Sequence, residues 1–446
     1  MMRIVYTTLF KELTGGGTGK LSYELPCVFA ENHQVLFVHP GNSTTISKPQ
    51  QNLDRLQIRA LGGNVCFLAQ SLRSIRTICD SLDSYAPDIV HLQDIGLISF
   101  LAQNWALKNH LPVVYTAHVL PTRLGDFGSG ETSRLLGDFL DGGVVRRYSL
   151  DFFRNCTAIL ALNEPAQKVL RECGHEGDIF VVPNGVNLRL FDELPLADIR
   201  ATEKRLLFVG DLSARKNQAY LLQVMRELPS PFVLDLVGGS LSSAYPARLK
   251  EYARKHDLRV NFIGQIAHAD VLRFLQKAHV FISASKMEVQ SIAILEALAA
   301  GRPVVGLSNE TVDELVDEAV GYNLPKDTAP KQFAEKVEQI CALTLEDYRE
   351  LCLNARRRVE HLGWDQVVKE TERVYSWAIE QTRAVTPRRR QSSTVRRNDV
   401  YLVAFLAANS IGAFVYCLSR LSNRFPRFGP GRHRPIGPEG QRDEIA

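Results

Sequence analysis

The stretch from Ser285 to Val305, SKMEVQSIAILEALAAGRPVV, carries two glutamates, one of them inside an otherwise apolar helical run, and so admits few folds. Ile292, Leu295, Leu298 and Ala299 recur at spacings near three and four, which predicts a buried helix from about Gln290 to Ala300, stopped by Gly301 and Pro303. Glu288 then stands at or just before the helix start, and Glu296 about two turns inside. On a helix the two would lie about 80° apart around the axis and about 12 Å along it, so they are not one carboxylate pair. A carboxylate inside such a helix is costly unless a ligand hydroxyl or a basic residue meets it. For a lone glutamate, an ion pair with a neighbouring Lys or Arg is the commoner arrangement. The runs AHVFISAS before and RPVVGLS after read as strands. Glu288 is thereby placed at the C-terminal edge of a parallel strand, where open α/β sheets bind ligands.

The E-x7-E spacing followed by LEALAAGRPVV resembles the retaining nucleotide-sugar glycosyltransferases of family 4. The resemblance implies an α/β protein of the GT-B fold, two Rossmann-like doubly wound parallel-sheet domains facing a cleft. It covers about residues 1–382. The expected scheme is an acceptor-side domain over 1–190, a nucleotide-sugar domain over 191–362, and a closing helix over 363–382 packing back on the first domain. An Arg-rich linker (383–399), an apolar helix (400–419) and a basic tail (420–446) follow.

A chain of 446 residues is too long for one ordinary core, which agrees with two domains. Its eight cysteines are scattered without a C-x-x-C, which predicts a reducing compartment and no structural zinc. The N-terminal MMRIVYTTLF leads into a Gly-rich loop and reads as a first strand, with no signal peptide visible. From Arg383 onward twelve arginines against four acids leave +8, so residues 1–382 carry −4 of the net +4. A mildly acidic body argues against a nucleic-acid partner.

Along the chain, RIVYTT, the loop TGGGTGK, a helix ending near Asn32 and a strand from Gln34 make a βαβ unit. Thr14, Lys20 and Leu21 break the Walker and G-x-G-x-x-G patterns. What survives is a helix N-terminus at Gly15, Gly16 and Gly17 that a backbone-bound anion can approach; the alternative is a tight turn without ligand. The resemblance implies that Gly16 and Gly17 face the donor diphosphate. His118 ends the strand LPVVYTAH, and the resemblance places it near the donor sugar, whereas His91 reads as structural. Residues 42–87 look less regular, with a helical period at Leu72, Ile75, Ile78 and Leu82. Arg146 and Arg147 beside Tyr148, Phe152 and Phe153 suit either a membrane surface or an ordinary helix with a basic side.

In the second half, KRLLFVGDLSARKNQ resembles the family's pyrophosphate loop, with Lys216 in the expected place and Asp211 where an arginine is usual. A carboxylate there repels a diphosphate, and Arg215 is the candidate replacement. The resemblance further implies that the base lies against backbone from Gly264 to Ile266, and that Ser291 and Ile292 meet the donor. It assigns the donor-sugar hydroxyls to Glu288 and the ribose to Glu296. Glu314 occupies the family's acidic position after the donor helix. No D-x-D triplet signals a metal, so no metal or cofactor is expected.

Val400 to Ser419 holds twenty residues without a charge, about 30 Å as a helix, enough to span a bilayer core. A transmembrane helix, an in-plane anchor or a dimer helix would each fit, the last through Ala404, Ala408 and Gly412. Six arginines lie on either side, so charge does not orient the run. The expectation is a transferase at the cytosolic face of the cell membrane, taking a UDP- or GDP-sugar and a lipid or glycan acceptor. A soluble-acceptor transferase and a non-catalytic scaffold on the same fold are the competing readings.

Overall fold

The computed structural model describes residues 1–12, 16–62, 66–68, 71–118, 120, 143–229, 231–240, 243–384, 398, 401–403 and 406. It contains two sheets. The first takes β1 (Arg3–Thr7), β2 (Gln34–Gly41), β3 (Thr45–Gln50), β4 (Leu53–Gly62), β5 (Cys66–Leu68), β6 (Ile89–Leu92), β7 (Val113–Thr116), β8 (Ala158–Ala161) and β9 (Ile179–Val181). Its order is β3-β4-β2-β1-β6-β7-β8-β9, with β5 paired antiparallel to β4. From β4 to β9 all neighbours run parallel.

The second sheet is parallel throughout: β10 (Lys204–Val209), β11 (Phe232–Val237), β12 (Val260–Gly264), β13 (Val280–Ser283), β14 (Val304–Leu307) and β15 (Gly321–Leu324). Its order is β12-β11-β10-β13-β14-β15. The strand order reverses between β10 and β13, the crevice at which doubly wound sheets take ligands.

Helices cover both sheets. In the first half they are α1 (Gly16–Phe29), α2 (Ser71–Tyr85), α3 (Leu97–Lys108), α4 (Gly143–Arg154) and α5 (Glu164–Glu172). In the second they are α6 (Gln218–Glu227), α7 (Ala244–Lys255), α8 (His268–Lys277), α9 (Ile292–Ala299), α10 (Glu310–Leu315), α11 (Pro330–Cys341) and α12 (Leu345–Arg358). After them, α13 (Trp364–Ala384) returns to the first sheet. Its Val367, Val368, Val374, Tyr375 and Ala378 share a core with Ile4, Tyr6, Phe29 and Phe37. The Tyr375 hydroxyl meets Tyr6 Oη at 2.5 Å and also the ring nitrogen Nδ1 of His91.

Three expectations are corrected. Residues 42–62 hold two strands, β3 and β4; β3 is exposed along its whole length, so it carries no apolar alternation to announce it. Its Lys48 and Pro49 are residues that protect a sheet edge. On α2, Ile78 and Leu82 are buried but Leu72 is 70% exposed. On α4, Tyr148, Phe152 and Phe153 are buried in the first domain's core, which overturns their reading as a membrane-facing group. Stacking of Tyr115 on Phe153 and its edge contact with Phe152 explain why these rings turn inward.

The proposed apolar helix over 400–419 lies largely outside the described residues. Among those described, no helix is long and apolar enough to cross a membrane. The described start of the run is seated on the first domain. Asn398, 2% exposed, donates to Asn104 Oδ1 at 3.2 Å. Tyr401 donates to Asp151 Oδ2 at 2.6 Å and lies edge-on to Tyr148.

Candidate active site

The loops after β10 and β13 meet at the strand-order switch. After β10 the chain turns at Gly210, and the neighbouring turn at Gly238 packs directly on it. A Cβ on Gly238 would stand 1.9 Å from the Gly210 carbonyl oxygen, and φ is +147°, so only glycine fits. The Gly238 amide donates to the Gly264 carbonyl at 2.9 Å, and Gly264 itself has φ +80° with open space before it. Ile266 is half-buried against the second domain's core. The three turns thus line one edge of the sheet.

Lys216 Nζ donates to Glu288 Oε1, and Arg215 Nη1 lies 3.6 Å from Glu288 Oε2. Arg215 also donates to the Met287 carbonyl at 3.1 Å, which fixes the guanidinium beside the loop. Asp211 stands 3.6 Å from Arg215 Nη2, so the carboxylate that replaces the family's arginine is an ion-pair partner of the neighbouring cation. Burial pushes the Glu288 carboxyl up, but Lys216, Arg215 and the hydrogen bonds outweigh it and hold it below the ordinary range.

The helix α9 ends at Gly301 with φ +69°, as its sequence predicts. Its Glu296 is 4% exposed. Lys20 of α1, across the cleft, donates to Glu296 Oε1, and His268 Nε2 at the start of α8 lies 2.7 Å from the same oxygen. Lys20 Nζ and His268 Nε2 are 2.6 Å apart. Burial raises the Glu296 carboxyl, and the His268 hydrogen bond and Lys20 charge more than reverse it.

Further contacts join the domains. Gly17 packs on Ile292, where a Cβ would reach Cγ1 at 3.4 Å; Gly16 has φ +58°, and Gly15 lies outside the described residues. Asn163 Nδ2 donates to the Val289 carbonyl at 2.7 Å and to Glu314 Oε2 at 3.3 Å. The Asn184 amide donates to Gln290 Oε1 at 2.6 Å. The Ser291 amide is taken by Thr311 Oγ1 at 2.8 Å, so its backbone is satisfied within the domain, while Ile292 begins α9.

His118 follows β7, 7% exposed, with Nε2 donating to Gln93 Oε1 at 2.8 Å. It lines a cavity of about 30 Å³ with Leu21, Thr116, Asn184 and Trp364. Burial lowers its pKa to about 4, so the ring is neutral at pH 7 and serves as a hydrogen-bonding group. His91 is wholly buried with both ring nitrogens engaged, by Tyr375 and by Thr116 Oγ1 at 2.7 Å.

The structure therefore brings Lys216, Arg215 and Glu288 into one cluster and Gly17, Ile292 and Glu296 into another. His118 stands apart, in the first domain's cavity. Lys20, His268, Asn163 and Gln290 were not anticipated as site residues. The need of Glu296 for a polar partner was legible; that the partner is Lys20 was not. Among the described residues no group of three His, Cys, Asp or Glu side chains suits a metal ion.

Residues 15–190 match the profile described as Glycosyltransferase Family 4, and residues 196–358 that described as Glycosyl transferases group 1. The alpha-monoglucosyldiacylglycerol synthase of Streptococcus pneumoniae is 26% identical over 52% of this chain and 55% of its own, so the match spans about half that relative's length. Among solved structures, sucrose-phosphate synthase from Thermosynechococcus elongatus superposes with a TM-score of 0.71 at 20% identity, over 85% of this chain and 100% of that one. Anabaena HepE in complex with UDP and glucose gives 0.67 at 16% identity, over 84% and 100%. These two share the fold.

Proposed function

Since the chain belongs to the group 1 glycosyltransferases of family 4, with the GT-B fold, we propose that it moves a sugar from a nucleotide-sugar donor to an acceptor hydroxyl with retention at the anomeric carbon. The observation that carries this reading is the Lys216–Glu288–Arg215 cluster at the strand-order switch of the second sheet, facing the glycine-led start of α1. In this reading Lys216 and Arg215 stabilise charge on the departing diphosphate, and Glu288 holds donor-sugar hydroxyls. Cations fixed before the reaction cost no reorganisation in it. Glu296 takes the ribose, and backbone from Gly264 to Ile266 takes the base. Neutral His118, in the first domain's cavity, is assigned a place near the sugar by the family resemblance alone. The acceptor oxygen attacks on the face from which the phosphate leaves, and no metal is assigned to the step.

The acceptor in this reading is a membrane lipid or lipid-linked glycan, met at the cytosolic face. The uncharged run Val400–Ser419 supports it, as does the seating of Asn398 and Tyr401 on the first domain. The similar streptococcal protein is named for a glucosyldiacylglycerol product, and a structural neighbour carries UDP and glucose.

The test incubates the full chain with labelled UDP- and GDP-sugars and a membrane lipid extract, with Glu296→Ala as control. Label entering the organic phase with the unmutated protein alone identifies donor and acceptor class. No transfer and no nucleotide binding would overturn the transferase reading in favour of a scaffold.

A further inference from the structure

Lys20 is a side chain of the first domain whose charge is spent in the second. It stands in the first turns of α1, beside Leu21, which is 4% exposed and packed in one core with Ile292 and Leu295 of α9. Its ammonium meets Glu296, with His268 Nε2 at 2.6 Å and Glu24 at 3.5 Å. Both Lys20 and His268 act on the same carboxylate oxygen, Oε1. Oε2 of Glu296 makes no hydrogen bond to the described residues. One oxygen is therefore clamped from across the cleft while the other is left as an acceptor.

We propose that Lys20 is a positioning residue: with the cleft closed it fixes Glu296 so that Oε2 is aimed at the ribose hydroxyls of the donor, which couples domain closure to nucleotide binding. The proposal rests on the nucleotide-sugar reading given above. A glutamate side chain free to rotate loses that freedom on binding a ligand, and a carboxylate clamped beforehand does not. When α1 moves away with the first domain, Lys20 leaves Glu296, and His268 is its remaining partner among the described residues. Since linkage is reciprocal, a donor that prefers the clamped carboxylate favours closure by the same factor.

The test is a double-mutant cycle on the full chain, titrating UDP and, separately, GDP into the unmutated protein, Lys20→Met, Lys20→Arg, Glu296→Gln and Lys20→Met/Glu296→Gln. Thermal melts check that each variant folds. Lys20→Met is expected to weaken nucleotide binding about tenfold, within the usual range of coupling between sites, and to raise the donor KM more than it lowers kcat. Lys20→Arg should restore most of the affinity. The double variant should bind no more weakly than Glu296→Gln alone, because Lys20 acts only through Glu296. Unchanged affinity in a folded Lys20→Met, or losses that add in the double variant, would overturn the proposal and leave the nucleotide-sugar reading intact. Failure of the unmutated protein to bind either nucleotide removes that reading and the proposal with it.

Discussion

Lys216 and Glu288, 72 residues apart in sequence, form one buried ion pair at the mouth of the second sheet, and Arg215 closes it from the other side at 3.6 Å. In the proposed reading the pair holds a cation in place for a diphosphate and a carboxylate in place for hydroxyls, and the two cations beside Glu288 hold its carboxyl below the ordinary range despite burial. Removing Lys216 leaves Glu288 with Arg215 alone, and removing Glu288 strips Lys216 of its ion-pair partner in a low-dielectric site.

Lys216→Ala is expected to lower kcat by about 10²–10³, the usual cost of deleting one fixed transition-state donor. A transfer assay with saturating donor measures it. UDP affinity should fall with it.

Asp211→Asn should act in the opposite direction. The Asp211 side chain is 44% exposed and draws on Arg215 at 3.6 Å, so neutralising it releases the guanidinium. An exposed pair of this kind contributes about 0.2–1 kcal/mol, so a UDP titration should show a gain of a few-fold at most. The gain should shrink as salt is raised, since screening weakens exposed charges.

Gly238→Ala places a methyl 1.9 Å from the Gly210 carbonyl oxygen at a φ of +147°. The two turns must part. Denaturant unfolding should show a loss of at least about 2 kcal/mol, from backbone strain and steric conflict together. Nucleotide binding should fall even where the fold survives.

Acid should expose the buried histidines. His118 has a folded pKa near 4 and His91 near 3, both lowered by burial from 6.5. The unfolded chain then binds more protons than the folded one below pH 6.5, so stability is full above that pH and falls as pH drops towards 4. Each group contributes at most about 1.4 kcal/mol per pH unit. Asp94, raised to about 6 by burial, runs the other way between pH 4 and 6, losing stability as pH rises. The difference between the unmutated protein and His118→Gln isolates the histidine; its pH slope of stability should be the steeper of the two between pH 4 and 6.5.

Tyr401→Phe removes the donor to Asp151 and keeps the ring on Tyr148. The expected loss is about 0.5–1.5 kcal/mol in denaturant unfolding, the net worth of one hydrogen bond. Combined with Asp151→Asn, the losses should not add if the two side chains form one contact.

Much of this arrangement was legible in local sequence. The apolar spacing of Ile292, Leu295 and Leu298 and the stop at Gly301 gave α9, and the apolar runs gave most strands, because a buried parallel strand is continuously apolar. Glu296 could be known to need a partner, a basic residue or a ligand hydroxyl, since it lies inside an apolar helix. That the partner is Lys20 could not, because 276 residues separate them and only tertiary packing joins them. The basic pair before Tyr148 leaves two readings open for a related reason. Aromatic residues next to arginines suit a lipid surface and a core-facing helix equally, and the stacking of Phe153 on Tyr115 of β7 decides between them. Asp211 reads as hostile to a diphosphate and Arg215 as its replacement, but that the two form an ion pair depends on the loop's conformation.

The return of α13 to the first sheet makes that domain discontinuous in time as well as in sequence. A ribosome releases β1 to β9 about two hundred residues before Ala384, roughly 10–40 s at 5–20 residues per second. Through that interval Ile4, Tyr6, Phe29 and Phe37 lack the cover that Val374 and Tyr375 later give. The second domain, drawn from one uninterrupted stretch, has all its own strands before then. Nascent-chain order therefore favours completion of the second domain first, with the first domain waiting on α13 to be closed.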